Sequence, residues 1–215
     1  MDDDSLPYSR FHYQCAEKLG KRPDALAPPV LLAMVRFLQF AHSREPEVKR
    51  ICRVYSLGPV LMERFAIPFL KGVQYVEDHY GDTADAIRLS EETFQGPRHR
   101  AALIPYEDRS SFILIHPSFI AGVNQYFNRR QWHSVSMPDK VLTGEETAFV
   151  TGVEEAHHAY WVRTHGYDAL KGREIPKDDE TPIETAWRYN DDPLERAAMP
   201  ALYQALEDFR KSRQL

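Results

Sequence analysis

Apolar positions in the first 96 residues recur at helical spacing, and proline or glycine closes each run before it grows long. Ser9 to Leu19 carries Phe11, Cys15, Ala16 and Leu19 near one face, with Gly20 where a left-handed cap residue is wanted. Pro28 and Pro29 open VLLAMVRFLQFAHS, whose apolar residues cover most of the circumference and predict a largely buried helix from about Pro29 to Ala41. Pro46 opens the next, with Val48, Ile51, Cys52, Tyr55 and Leu57 on one side and Gly58-Pro59 as its stop. Pro59 to Arg64 and Pro68 to Tyr80 read as two further helices, and Asp82 or Thr83 as the cap of another running through Phe94 to Gly96.

The pattern changes at Arg100. AALIPYED and SFILIHP read as two short extended runs separated by polar residues, with Ile113, Leu114 and Ile115 continuous enough for a buried strand. Pro117-Ser118 starts a helix through Phe127, and NRRQWHSVSMPDK, which has no helical stripe, reads as a loop. Thr143 and Glu146 then have the spacing of a capping box, and Gly166 is placed to end the helix they open. A polar, proline-interrupted connection from Tyr167 to Asp192 leads to a last helix beginning at Pro193, bent at Pro200. The pattern predicts an α+β, helix-rich fold with a small β-sheet at about residues 100–116 packed beside a central helix 143–165. Residues 1–98 form a helical N-terminal region and 99–215 the region with the chemistry, together one compact unit.

The 215 residues are 43% hydrophobic and 27% charged, a globular composition. Lys and Arg number 27 against 32 Asp and Glu, so no global positive field favours nucleic acid. The basic islands Arg98-His99-Arg100 and Arg129-Arg130, with Trp132 and His133, read as solvated loop charge. Two cysteines, Cys15 and Cys52, sit in apolar stripes and do not form a disulfide framework. With the acidic opening MDDDSLPYSR and no uninterrupted apolar run of about 18 residues, this implies a cytoplasmic, non-membrane protein.

The helix from Thr143 to His165 is apolar nearly all round. Phe149, Val153, Ala156 and Tyr160 form one stripe, while Glu154 and His158 lie one turn apart on the other side. A carboxylate and an imidazole on a buried helix need partners, and a metal ion is an efficient one. Glu154-Glu155-Ala156-His157-His158 matches the zinc-helix pattern H-E-x-x-H at its second and fifth positions, with glutamate in place of the first histidine. On this reading Glu154 and His158 are ligands, and Glu155 is the general base that takes a proton from water at the metal. His165, in the last turn, is accounted for by the helix dipole, and His116 by a structural hydrogen bond at a strand end.

These residues resemble the compact zinc metallopeptidases of the ImmA/IrrE type, in which a short sheet precedes the metal-binding helix and a later helix begins with a segment of the form P-L-E-R-E-A. Here Phe112 to His116, the Glu154–His158 helix and Pro193-Leu194-Glu195-Arg196-Ala197-Ala198 follow in that order. The resemblance covers roughly residues 100–205 and implies Glu195 as third ligand, one divalent metal, and a peptide or protein substrate. Tyr189 is a candidate donor to a developing oxyanion. Glutamate at position 154 puts two carboxylates and one imidazole on the metal, a set that tolerates iron or manganese beside the zinc of the parent pattern and weakens the ion as a Lewis acid.

Two other functions fit the same residues. A relative without turnover would be a non-enzymatic regulatory or protein-binding domain. Glu154 with His157, or Glu155 with His158, also has the E-x-x-H spacing of ferritin-like di-iron bundles, although no second E-x-x-H exists in the chain.

Overall fold

In a computed structural model of the chain, the described residues are 46–89, 91, 101–129, 132–133, 136–170 and 191–213. They form five α-helices and a small sheet: α1 (Pro46–Val54), α2 (Pro59–His79), β1 (Ala86–Leu89), β2 (Ala101–Pro105), β3 (Ser111–Ile115), α3 (Pro117–Asn124), β4 (Trp132–His133), β5 (Val141–Leu142), α4 (Gly144–His165) and α5 (Pro193–Lys211). The helices expected over Ser9–Leu19 and Pro29–Ala41 lie outside the described residues, as do Cys15, Arg98-His99-Arg100 and Tyr189.

The signals at the ends of α4 act as the sequence suggests. The Thr143 side chain accepts from the Glu146 backbone amide at 3.1 Å, and Glu146 Oε2 accepts from the Thr143 amide at 2.8 Å, which completes the capping box. Gly166 ends the helix at φ 84, a conformation that disfavours a β-carbon. α5 starts equally clearly, with Asp192 accepting from the Leu194 amide at 2.9 Å and Pro193 in the first turn.

Helix α4 is the centre of the structure, packed against α2, α5, α3 and the sheet. Its crossing with α2 is a backbone-to-backbone approach. A β-carbon at Gly152 would stand 1.9 Å from the Phe69 carbonyl oxygen, and one at Gly72 would stand 2.1 Å from that of Phe149. Glycine is required at both positions because neither carbonyl can move without moving a helix. Phe65, Phe69, Met62 and Leu70 of α2 pack into the same core as Val153, Ala156, Leu202 and Leu206.

Three features differ from the expectation. Residues 59–79 make one helix, and Pro68 lies buried inside it, so burial of Phe65, Phe69 and Leu70 outweighs the hydrogen bond that proline removes. The segment read as a helix from Asp82 or Thr83 contains β1, which pairs in parallel with β3, Ala86 facing Phe112 and Leu89 facing Ile115. The sheet order is β1-β3-β2, with β2 and β3 an antiparallel hairpin. The stretch after α3, read as a loop, holds β4, which pairs antiparallel with β5 just beyond it.

Arg109, at φ 69 in the β2-β3 turn, donates through Nη1 to the Arg163 carbonyl at 3.3 Å and so ties the hairpin tip to the end of α4. No described helix is long and apolar enough to cross a membrane.

Candidate functional site

A helix buried on nearly every side carries its charged residues inward. Glu154, Glu155, His157 and His158 of α4, with Glu195 of α5, each expose only 5% to 8% of their surface. Glu195 is in the first turn of α5, where an acidic side chain complements the helix dipole even in water. Here it is buried against α4: its Oε2 lies 3.0 Å from His158 Nε2. The other ring nitrogen, Nδ1, faces Glu155 Oε2 at 3.7 Å, beyond hydrogen-bond length.

Around one imidazole the fold thus gathers three carboxylates. Burial and the charges of Glu195 and Glu155 push Glu154 up to about 7, while His158 and a hydroxyl pull it back. Burial alone would lower His158, but the Glu195 and Glu155 carboxylates outweigh it and hold the imidazole well above its usual value. His157 points elsewhere, edge-on to Tyr80 at 5.1 Å between centroids and to Tyr160 at 5.7 Å. Burial, with the neighbouring His158 charge, pushes it down to about 4, so it is a neutral imidazole at neutral pH.

The hydroxyl comes from Ser136, which donates to Glu154 Oε1. No pattern in SVSMPDK marks Ser136, because its role depends on where the turn before β5 folds back onto α4. His116 and His165 have local duties. His116 Nδ1 accepts from the Ser118 amide at 3.2 Å as the cap of α3, and His165 Nδ1 contacts the Trp161 carbonyl at 2.9 Å.

Two ligands bound about 2.0–2.1 Å from one ion at tetrahedral or octahedral angles lie about 2.9–3.4 Å apart. The 3.0 Å between His158 Nε2 and Glu195 Oε2 is within that range, and Nε2 makes no aligned hydrogen bond among the described residues. The same spacing is that of an imidazole–carboxylate ion pair, so the distance suits either arrangement. Glu154 is turned to Ser136, and among the described residues no three His, Cys, Asp or Glu side chains already surround a common point as ligands do. Of the residues singled out in the sequence, Glu154, Glu155, His158 and Glu195 are brought together in one buried cluster, while Tyr189 lies outside the described residues.

The chain matches no protein-family model, no curated protein and no solved structure.

Proposed function

We propose that the protein is a metal-dependent, peptidase-like hydrolase that holds one divalent ion through Glu154, His158 and Glu195. The observation that carries this reading is the burial of the Glu195 carboxylate 3.0 Å from His158 Nε2, two side chains from distant parts of the chain. The resemblance to compact zincins is supported by the order of parts: sheet, then α4 with the EEAHH segment, then α5 with Glu195 in its first turn. When bound, a divalent ion supplies a Lewis acid and makes water a nucleophile near neutral pH. Glu155, whose Oε2 lies 3.7 Å from His158 Nδ1, would have to turn from that nitrogen toward the Nε2 side to take a proton from such a water and pass it to a leaving amine. With two carboxylates and one imidazole, zinc is the first candidate, with manganese and iron close behind. The substrate we propose is a peptide or protein, and a reducing cytoplasm is the proposed compartment.

A second reading, a binding domain whose polar cluster only ties α5 to α4, is favoured by the Ser136 hydroxyl on Glu154 and by the lack, among the described residues, of three donors at ligand spacing. Elemental analysis and a peptide-cleavage assay separate the two. The hydrolase reading expects one equivalent of zinc, manganese or iron per chain and cleavage that a chelator abolishes. It also expects Glu155→Gln to keep the metal while losing cleavage. A protein that takes up none of the three metals is the binding domain. Cleavage by Glu155→Gln at the wild-type rate removes Glu155 from the role of base.

A further inference from the structure

We infer that β2 is a self-pairing edge, through which two copies of the chain join as an antiparallel β2–β2 contact about a two-fold axis at Leu103. The buried polar cluster takes no part in it.

The strand presents an open row of backbone groups. Pro105 pairs with Ser111, and the Tyr106 amide donates to the Ser110 carbonyl at 2.9 Å, so Pro105 and Ser111 form a non-hydrogen-bonded pair of the hairpin. By the alternation of an antiparallel ladder, Ala102 and Ile104 then turn their amides and carbonyls to β3, while Ala101, Leu103 and Pro105 turn theirs away from it. β2 ends the sheet on that side, and among the described residues none hydrogen-bonds to those outward groups. Edge strands are usually blunted by a charged side chain, a bulge or a cover. The other edge, β1, carries the exposed Arg88, whereas β2 reads Ala-Ala-Leu-Ile-Pro without a charge.

A second copy is the occupant that fits. Turned about Leu103, the row meets itself: the Leu103 amide and carbonyl face those of the other Leu103, and each Ala101 amide faces a Pro105 carbonyl. Proline has no amide to offer, so only the Ala101 carbonyl is left to water. Charge continues the match. Arg98 and Asp108 each stand five positions from Leu103, and His99 and Glu107 each four, so this register sets a basic residue of one copy against an acidic residue of the other at both places. Arg100 is set against Tyr106 in the same way. A slip of two residues in either direction separates both acid–base matches, and one of the slips sets His99 against Arg109. Glu107 and Asp108 are exposed at the hairpin tip, open to such a partner. A strand pair of this length is smaller than the roughly 1,200 Å² of a lasting interface, so the dimer is reversible and concentration-dependent.

The test is sedimentation velocity of the full chain at rising concentrations up to about 1 mM, where even a millimolar association is half complete. Wild type should move toward a dimer, and less so at high salt. Leu103→Pro removes the outward amide and spares the ladder to β3, because Leu103 and Ile113 do not exchange hydrogen bonds, and it should stay monomeric. Glu107→Lys should weaken the dimer about 5-fold, and adding His99→Glu to it should restore the wild-type association. Circular dichroism reports folding, and should Leu103→Pro fail to fold, the loss in Glu107→Lys and its recovery in the charge swap decide the question. A wild type that remains monomeric overturns the pairing and leaves the edge to a different strand. A dimer that survives in folded Leu103→Pro, or one indifferent to Glu107→Lys, overturns it too, because the contact then lies on another surface.

Discussion

His158 is the residue on which the others converge, with Glu195 at one ring nitrogen and Glu155 at the other. Removing one partner of a buried ionic cluster leaves the rest uncompensated, at about 3–5 kcal/mol. His158→Ala should therefore cost about 3 kcal/mol in urea unfolding and lose metal uptake, whereas Glu195→Gln, which keeps the shape and removes a charge, should lose the metal at a smaller cost in stability. A His158→Ala protein as stable as the wild type would show that the cluster is not ionic. A second prediction concerns Tyr75, whose hydroxyl donates to Asp208 Oδ2 at 3.2 Å. Burial and that carboxylate push the phenol up to about 12 from an ordinary 10. Between those values the unfolded chain releases a proton that the folded one keeps, so this contribution to stability is complete below pH 10 and declines as pH rises toward 12. Tyr75→Phe should be less stable than wild type at pH 9, and the gap should narrow by pH 11.5, read from urea midpoints. A gap that stays constant would remove the linkage.

At the scale of elements, the α2–α4 crossing and the start of α4 give opposite lessons in sensitivity. Gly152→Ala places a β-carbon against the Phe69 carbonyl oxygen, forcing the two helices apart, and should cost about 3 kcal/mol or more. Gly58→Ala, with nothing within 4 Å, is the matched control and should change little. If both melt alike, the helices have room to separate and the crossing is looser than its geometry. Thr143→Ala removes the capping box and should cost about 1 kcal/mol by thermal unfolding. Glu146 has a second task, accepting from Arg210 Nε at 2.8 Å, so it joins the first turn of α4 to the last turns of α5. The caps at Thr143, Gly166 and Asp192 were legible because capping is settled within a few residues. Strand β1 was not, because AIRL has no local mark of a strand, and its pairing with β3 depends on a segment far along the chain. Pro68 misled for a related reason: the local rule ends a helix there, and buried neighbours carry it on.

For the whole molecule, the ion of the proposed site would join α4 to α5 in the folded chain and not in the unfolded one, so it would raise the melting temperature by mass action. At 100 times the dissociation constant the gain is about 2.7 kcal/mol. Scanning calorimetry at rising zinc or manganese concentrations should therefore show a steady upward shift that His158→Ala lacks, and a melting temperature independent of both metals would contradict the proposed site. The sequence by itself determined where α4 and α5 begin, that α4 is central, that two strands lie between residues 100 and 116, and that Glu154, Glu155 and His158 share one helix. Those are consequences of local backbone satisfaction and of a 3.6-residue period. Only the tertiary structure decided that Glu195 turns inward to His158, that Ser136 meets Glu154, that β1 joins the sheet, and that His157 turns to Tyr80 and Tyr160. Each of these depends on which distant surfaces pack together, and packing is settled by the burial of the whole core rather than by any short segment.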